Sequence, residues 1–333
     1  MDDRLIVTAS PHIRDNATTR GLMGNVLIAL IPAMARGIWV FGPRALTTTL
    51  VSVIFCEIFE WGYCKLMHKP NPVGDLSACV TGVILALNMP VSMPLWIAIV
   101  GALVAIVIIK QLFGGLGCNF ANPAITGRVF LLLSFAGDMT TWVKPFYYHG
   151  LSIGNQLSSS AGSLDLDAVT SATPLVTGTE SLSNLFLGNV GGCIGETSAL
   201  ALLLGGLFLI FTRVISPSTP IAYLGSLGIL TFFHALATGG SLTEVPYALL
   251  SGGVMIGAFF MATDYVTTPI TTKGKWIFGI GCGILTFVIR EFASMPEGCS
   301  FSILLMNLLT PYIDKFTMTK PLGAKPIKQK EEA

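Results

Sequence analysis

Asp167-Ala168-Val169-Thr170-Ser171-Ala172-Thr173-Pro174-Leu175 is the string in this chain best suited to covalent chemistry. The step into Pro174 favours extended backbone at Thr173. The small neighbours Ser171 and Ala172 leave its hydroxyl open to modification. An ordinary Ser/Thr-rich surface loop has the same composition, so the residues alone leave both uses open. A second group, Gly114-Gly115-Leu116-Gly117-Cys118-Asn119-Phe120-Ala121-Asn122-Pro123-Ala124, combines glycines that permit close backbone approach with two carboxamides, Asn119 and Asn122. These carboxamides suit a ligand with amide edges, and Asn122 before Pro123 also reads as a helix N-cap with proline at the first position. Asp264 lies in a break with Thr263, Thr267 and Thr268 and is suited to polar contact with a ligand or a cation. Capping of a helix end is its competing use.

Further ionisable residues, Glu57, Glu60, Asp75, Arg128, Arg290 and Glu291, sit in or beside apolar runs. Charges in such places are costly and are paired or functional. His234, after Phe232-Phe233, reads as an interfacial histidine with a partner, and His12 as a residue ordering the N-terminal segment. The cysteines (Cys56, Cys64, Cys79, Cys118, Cys193, Cys282 and Cys299) form no C-x-x-C pair. Local iron–sulfur, zinc or haem attachment is therefore not expected. Most read as small hydrophobes, with ligation between subunits or across the fold left open.

The elements that position these groups belong to a membrane. Hydrophobic residues make up 52% and charged ones 11% of the 333, and the mean hydropathy is +0.73. A soluble domain carries about twice that charged fraction. The net charge of +1 gathers no nucleic acid. The first 25 residues carry Arg4, Arg14 and Arg20 and lack the apolar core of a cleavable signal, so the first span is expected to act as the insertion signal. A spanning helix needs about 20 apolar residues. Ten runs approach this length: 24–40, 46–66, 76–89, 95–111 and 124–135, then 197–215, 221–237, 247–263, 276–290 and 301–316. Several are short and lie beside Gly, Pro or Asn, as in broken helices around an intramembrane site. With a cytoplasmic N-terminus, every basic residue falls inside except Arg36, Arg44, Lys144 and Arg290. Both termini are thus expected inside, and the interval 137–195 outside.

The two halves carry a weak repeat. Leu76-Ser77-Ala78-Cys79-Val80-Thr81-Gly82 is echoed by Leu250-Ser251-Gly252-Gly253-Val254-Met255-Ile256-Gly257. At a similar offset, Gly117-Cys118-Asn119-Phe120 is echoed by Gly298-Cys299-Ser300-Phe301. Five spans is an odd number, so such repeats must be inverted and place a shared site near the midplane. The expected fold is an all-α polytopic membrane protein of about ten transmembrane helices in two inverted five-helix repeats. Its parts are a cytoplasmic segment 1–23, a first repeat 24–136, an outer loop 137–195, a second repeat 196–316 and a cytoplasmic tail 317–333.

The string ending at Thr173 resembles the flavinylation motif D-x-x-[ST]-G-A-T of the B subunit of Na+-translocating NADH:quinone reductase and the D subunit of the Rnf complex, with Ser171 where glycine is commonest. Ser10-Pro11-His12-Ile13-Arg14-Asp15, the 114–124 segment and Met261-Ala262-Thr263-Asp264 resemble further signatures of the same family, in the same order along the chain. The short N-terminal region and Pro174-Leu175 resemble the Rnf type. The resemblance implies FMN joined to Thr173 by a phosphoester and delivered by a separate flavin transferase, with Asp167, Thr170 and Ser171 forming the recognised loop. It also implies a second, non-covalent flavin (riboflavin) near Asn119, Asn122 and Asp264. The implied setting is a bacterial or archaeal inner membrane, in a ferredoxin:NAD+ oxidoreductase that moves Na+ or H+. The implied partners are an outer-face flavoprotein subunit, two small membrane subunits, and cytoplasmic iron–sulfur and NADH-binding subunits. Inverted five-span repeats also suit a channel for a small neutral solute such as urea, which has no need of a flavin acceptor loop.

Overall fold

The computed structural model describes residues 17–149, 156, 180–293 and 298–318, and these form helices and loops without a β-strand. Helix α1 (Thr19–Phe41) starts where the Thr18 side chain accepts the Gly21 N–H at 3.1 Å. It stops at Gly42, whose φ of 77° suits only glycine without cost. Pro43 then opens α2 (Pro43–Leu66) at the position where its missing N–H is harmless. A short turn, Val73–Asp75, leads into α3 (Ser77–Leu87), with the Asp75 carboxylate accepting both the N–H and the hydroxyl of Ser77 (2.8 and 2.5 Å). Helix α4 (Leu95–Leu103) continues as a π-helical segment, Val104–Gln111. Helices α5 (Pro123–Ser134), α6 (Ala136–Met139) and α7 (Leu182–Leu187) follow.

The second half holds α8 (Ala199–Phe211), α9 (Ser218–Thr238), α10 (Glu244–Leu250), α11 (Val254–Ile256) with its π-helical turn Gly257–Met261, α12 (Thr272–Phe292) and α13 (Gly298–Thr317). The run 247–263, expected as one span, is bent by 64° between α10 and the α11 segment. Gly252, at φ 64°, turns the chain there. Arg290 donates to the carbonyls of Ala248 (2.7 Å) and Ser251 (3.1 Å), which the break would otherwise leave without partners.

Helix α2 packs on α3 and α4, and α5 on the π-helical end of α4. In the second half α9 packs on α12, and α12 on α13, while α1 against α8 joins the halves. Small residues set the closest approaches. A Cβ at Gly279 of α12 would lie 2.7 Å from the Thr219 carbonyl of α9, and one at Gly283 would lie 2.8 Å from the Tyr223 carbonyl. This is the small-residue spacing by which helices in lipid bring their backbones together.

The outer surface is apolar where a soluble helix would be charged. Along α12, Ile277, Ile280, Ile284 and Val288 follow one another at helical spacing and are all exposed, as are Ile54, Ile58 and Trp61 along α2. Meanwhile Arg128, Lys110 and Glu60 are buried. Such a surface faces lipid, and the chain is a membrane protein. Each run expected from the sequence falls on helix. Four helices, α1, α2, α9 and α12, are long and apolar enough to cross a membrane by themselves, and the bent α10–α11 pair makes a fifth. Helices α3, α5, α8 and the α4 segment are apolar but shorter.

The close α9–α12 contact is testable. Gly283→Ala pushes a methyl into the α9 backbone and is expected to destabilise by about 1–3 kcal/mol. Gly225→Ala, in open space on α9, is expected to stabilise by about 0.4–1 kcal/mol. Thermal unfolding in detergent should move in opposite directions for the two.

Candidate functional site

Asn119, Asn122 and Asp264, far apart in sequence, line one pocket with Ser77 and Thr81 of α3, Lys110 of the π-helical segment and Phe259 and Phe260 of the α11 turn. Each carboxamide is held differently. The Asn122 side-chain oxygen accepts the N–H groups of Ala124 (3.0 Å) and Ile125 (3.3 Å), capping α5. Its nitrogen faces the Met261 carbonyl at 3.4 Å and so ties α5 to the end of the π-helical turn. The capping use is therefore real, and one face of the residue still borders the pocket. Asn119 is different: its side-chain oxygen is buried and has no hydrogen-bond partner among the described residues. A buried carbonyl oxygen without a donor costs about 1–3 kcal/mol, and a ligand N–H would satisfy it.

Asp264 is held by its own loop. One carboxylate oxygen accepts the Thr267 hydroxyl at 3.0 Å, and the Thr268 hydroxyl donates to the Asp264 carbonyl at 2.6 Å. Burial pushes its carboxyl above the usual carboxylate range, and the Thr267 hydroxyl and the N–H groups of Val266 and Tyr265 pull it back. Helix α13 supports this loop: the Thr310 hydroxyl donates to the Thr267 carbonyl at 2.9 Å, and the Asn307 amide fits between the Asn122 N–H and the Thr267 carbonyl, 3.2 Å from each. Sequence reasoning missed Asn307 and Thr310. Their signal was a pair of polar residues in the apolar middle of the helix, between Ile303 and Ile313.

Lys110 was legible only as the polar end of a run. Its ammonium lies 2.5 Å from Glu60 and 2.6 Å from the Ser77 hydroxyl, both Lys110 and Glu60 being buried. Gln111 donates to the same Glu60 oxygen at 2.7 Å, and the Ser77 hydroxyl donates to Asp75. The pocket-lining Lys110 and Ser77 are thus the middle of a chain of acid, ammonium, hydroxyl and acid. A second buried network closes the bundle beyond it. Arg128 of α5 donates to Asn88 (2.8 Å), Ser300 (3.0 Å) and Glu196 (3.1 Å), with the Cys193 sulfur at 3.5 Å. His234 lies 3.8 Å from Glu291 and against Phe287, as expected of an interfacial histidine. Asp167, Thr170, Ser171, Thr173 and His12 lie outside the described residues.

A bundle with a lipid-facing apolar surface, buried ion pairs and a pocket lined by two carboxamides, one carboxylate and one ammonium defines an integral membrane protein. The model of the NQR2, RnfD, RnfE family matches residues 6–323, and the chain belongs to that family. It is 46% identical to the D subunit of the Na+-translocating ferredoxin:NAD+ oxidoreductase complex of Acetobacterium woodii, over 99% of this chain and 98% of the relative. The proton-translocating counterpart from Clostridium ljungdahlii is 39% identical over 96% of each chain. The D subunit of the ion-translocating oxidoreductase complex of Halorhodospira halophila is 36% identical over 95% of each.

The Lys110–Glu60 pair gives a direct test of what holds the wall. Lys110→Met leaves a buried carboxylate without its counter-charge and is expected to cost about 3–5 kcal/mol, whereas Lys110→Met with Glu60→Gln recovers most of it. Melting temperature and yield of folded protein in detergent read both.

Proposed function

We propose that this chain is the D subunit of an Rnf-type complex, a membrane electron-transfer subunit of a ferredoxin:NAD+ oxidoreductase that couples electron flow to translocation of Na+ or H+. The carrying observation is the end-to-end similarity to subunits of that name. The channel alternative gives way to family membership. The complex is a redox-driven translocase, and this chain holds no complete active site by itself.

Thr173 is the FMN acceptor in this proposal. Its place before Pro174 and among small residues supports that role, with Asp167, Thr170 and Ser171 presenting the loop to a flavin transferase. When bound, FMN supplies reversible one- and two-electron chemistry. The tether keeps its local concentration high on the outer face. A second flavin, bound non-covalently, is assigned to the pocket of Asn119, Asn122 and Asp264. The partnerless Asn119 oxygen supports this, because a flavin ring edge carries an N–H. The cavity volume is about 80 Å³, and Asn119, Asn122 and Asp264 would hold an edge of the ring there.

The finer architecture is ten transmembrane helices in two inverted five-helix repeats, both termini cytoplasmic and the Thr173 loop outside. Matching features support it. Helix α2 on α3 and α4 is mirrored by α9 on α10 and α12, and α5 beside α4 by α13 beside α12. Each half also carries one π-helical segment. The basic residues favour the inside. The partners in this proposal are the outer-face flavoprotein subunit, two small membrane subunits and the cytoplasmic iron–sulfur and NADH-binding subunits.

Denaturing-gel flavin fluorescence tests the covalent site. Co-expressed with the flavin transferase, the wild-type chain is expected to give a fluorescent band and Thr173→Val a dark one. A dark wild-type band, with the transferase active on another acceptor, would remove Thr173 from the proposal.

A further inference from the structure

A second cavity, of about 530 Å³, opens between the α8–α9 link and the link from the α11 turn to α12. We propose that it is a headgroup site for an anionic phospholipid. Its wall carries two cations, Arg213 and Lys275, with the hydroxyls of Ser216, Thr219, Thr263 and Thr268, and no acid. Among the described residues neither cation has a carboxylate within ion-pair distance. The acids beside the lining residues are turned to other work: Asp264, between Thr263 and Tyr265, accepts from Thr267, and Asp314 accepts the Ile270 N–H at 3.1 Å. Two cations without a carboxylate partner among the described residues, set in a concave wall, recognise a phosphate or phosphodiester.

Arg213 stands at an unusual position for its type. It occupies the left-handed residue that closes α8, with φ 57°. The Val214 N–H returns to the Leu209 carbonyl at 2.9 Å, which is the capping pattern glycine normally serves. Arginine there holds the cap under strain that glycine would not carry, and it places a guanidinium on the cavity wall. The Tyr265 hydroxyl donates to the Val214 carbonyl and so pins the two links together across the cavity.

The rim argues for a lipid over a soluble phosphate. Ile270, just before the N-cap of α12, is 76% exposed, and Phe211, the last residue of α8, is 82% exposed. Trp276 follows Lys275 at the start of the candidate span α12, and its exposed ring and the adjacent cation form the usual interfacial anchor. The cavity therefore opens at the membrane–water boundary. Acyl chains leaving it would cover Ile277 and Ile280 along α12. An inorganic phosphate would leave this rim bare. The cavity also shares Ile215, Thr263 and Tyr265 with the pocket of Asn119 and Asp264, so its occupant braces the wall of that pocket.

Native mass spectrometry of the whole complex, supplied with equal phosphatidylglycerol and phosphatidylcholine, tests the site by the lipid retained on this chain after its release. Wild type is expected to retain phosphatidylglycerol preferentially. Each cation removed should lower that preference roughly fivefold, from about 1 kcal/mol per basic residue near an anionic surface. Arg213→Gly is the key variant, because it keeps the left-handed cap and relieves its strain: thermal stability without lipid should hold or rise while the preference falls. Lys275→Gln should act in the same direction on retention. Equal retention of the two lipids by wild type, or an unchanged preference in both variants, overturns the proposal. So does full replacement of phosphatidylglycerol by inorganic phosphate in a competition arm, which would assign the cavity to a soluble anion.

Discussion

A charge inside a wall of hydrocarbon must find its partner inside the protein, and this constraint organises the bundle. Arg128 is nearly inaccessible, and its donors reach the end of α3, the segment before α8 and the first turn of α13. No local structure could satisfy it, because donor and acceptors come from four separated parts of the chain. An unpaired buried charge costs several kcal/mol, so packings in which the two halves do not meet at Arg128 are strongly disfavoured. Helix association in lipid lacks the hydrophobic effect as a driving force, and close small-residue contacts such as Gly279 and Gly283 supply the remaining fit.

The same constraint shapes the pocket. Lys110 is neutralised by Glu60 and shares a hydroxyl with Asp75, while Asp264 is held by hydroxyl and backbone donors of its own loop. Asn122 spends most of its capacity on capping α5, and Asp264 on its own loop. Asn119 is left as the group with capacity to spare.

Much of this was legible in the sequence, and the reasons for success and failure are physical. Apolar runs located the helices because hydropathy reads burial in lipid directly, and 95–111 coincides with α4 and its π-helical continuation. Asn119, Asn122 and Asp264 stood out as carboxamides and a carboxylate at breaks between apolar runs. What the sequence hid was pairing. Nothing in the neighbourhood of Lys110 names Glu60, and nothing near Arg128 names Glu196, since such contacts depend on three-dimensional packing. The bend after Leu250 was hidden for the same reason, because its carbonyls are satisfied by Arg290 from a distant helix. The acceptor string at Thr173 was read from its resemblance to a known motif, and it lies outside the described residues.

The central claim is that Asn119, with Asn122 and Asp264, binds a flavin non-covalently inside this chain. Acid-released flavin, compared between complexes carrying Thr173→Val alone and Thr173→Val with Asn119→Leu, tests it most directly. With equal amounts of this chain in both, the account predicts that the second complex releases one flavin equivalent fewer per complex. Equal release from the two would contradict it.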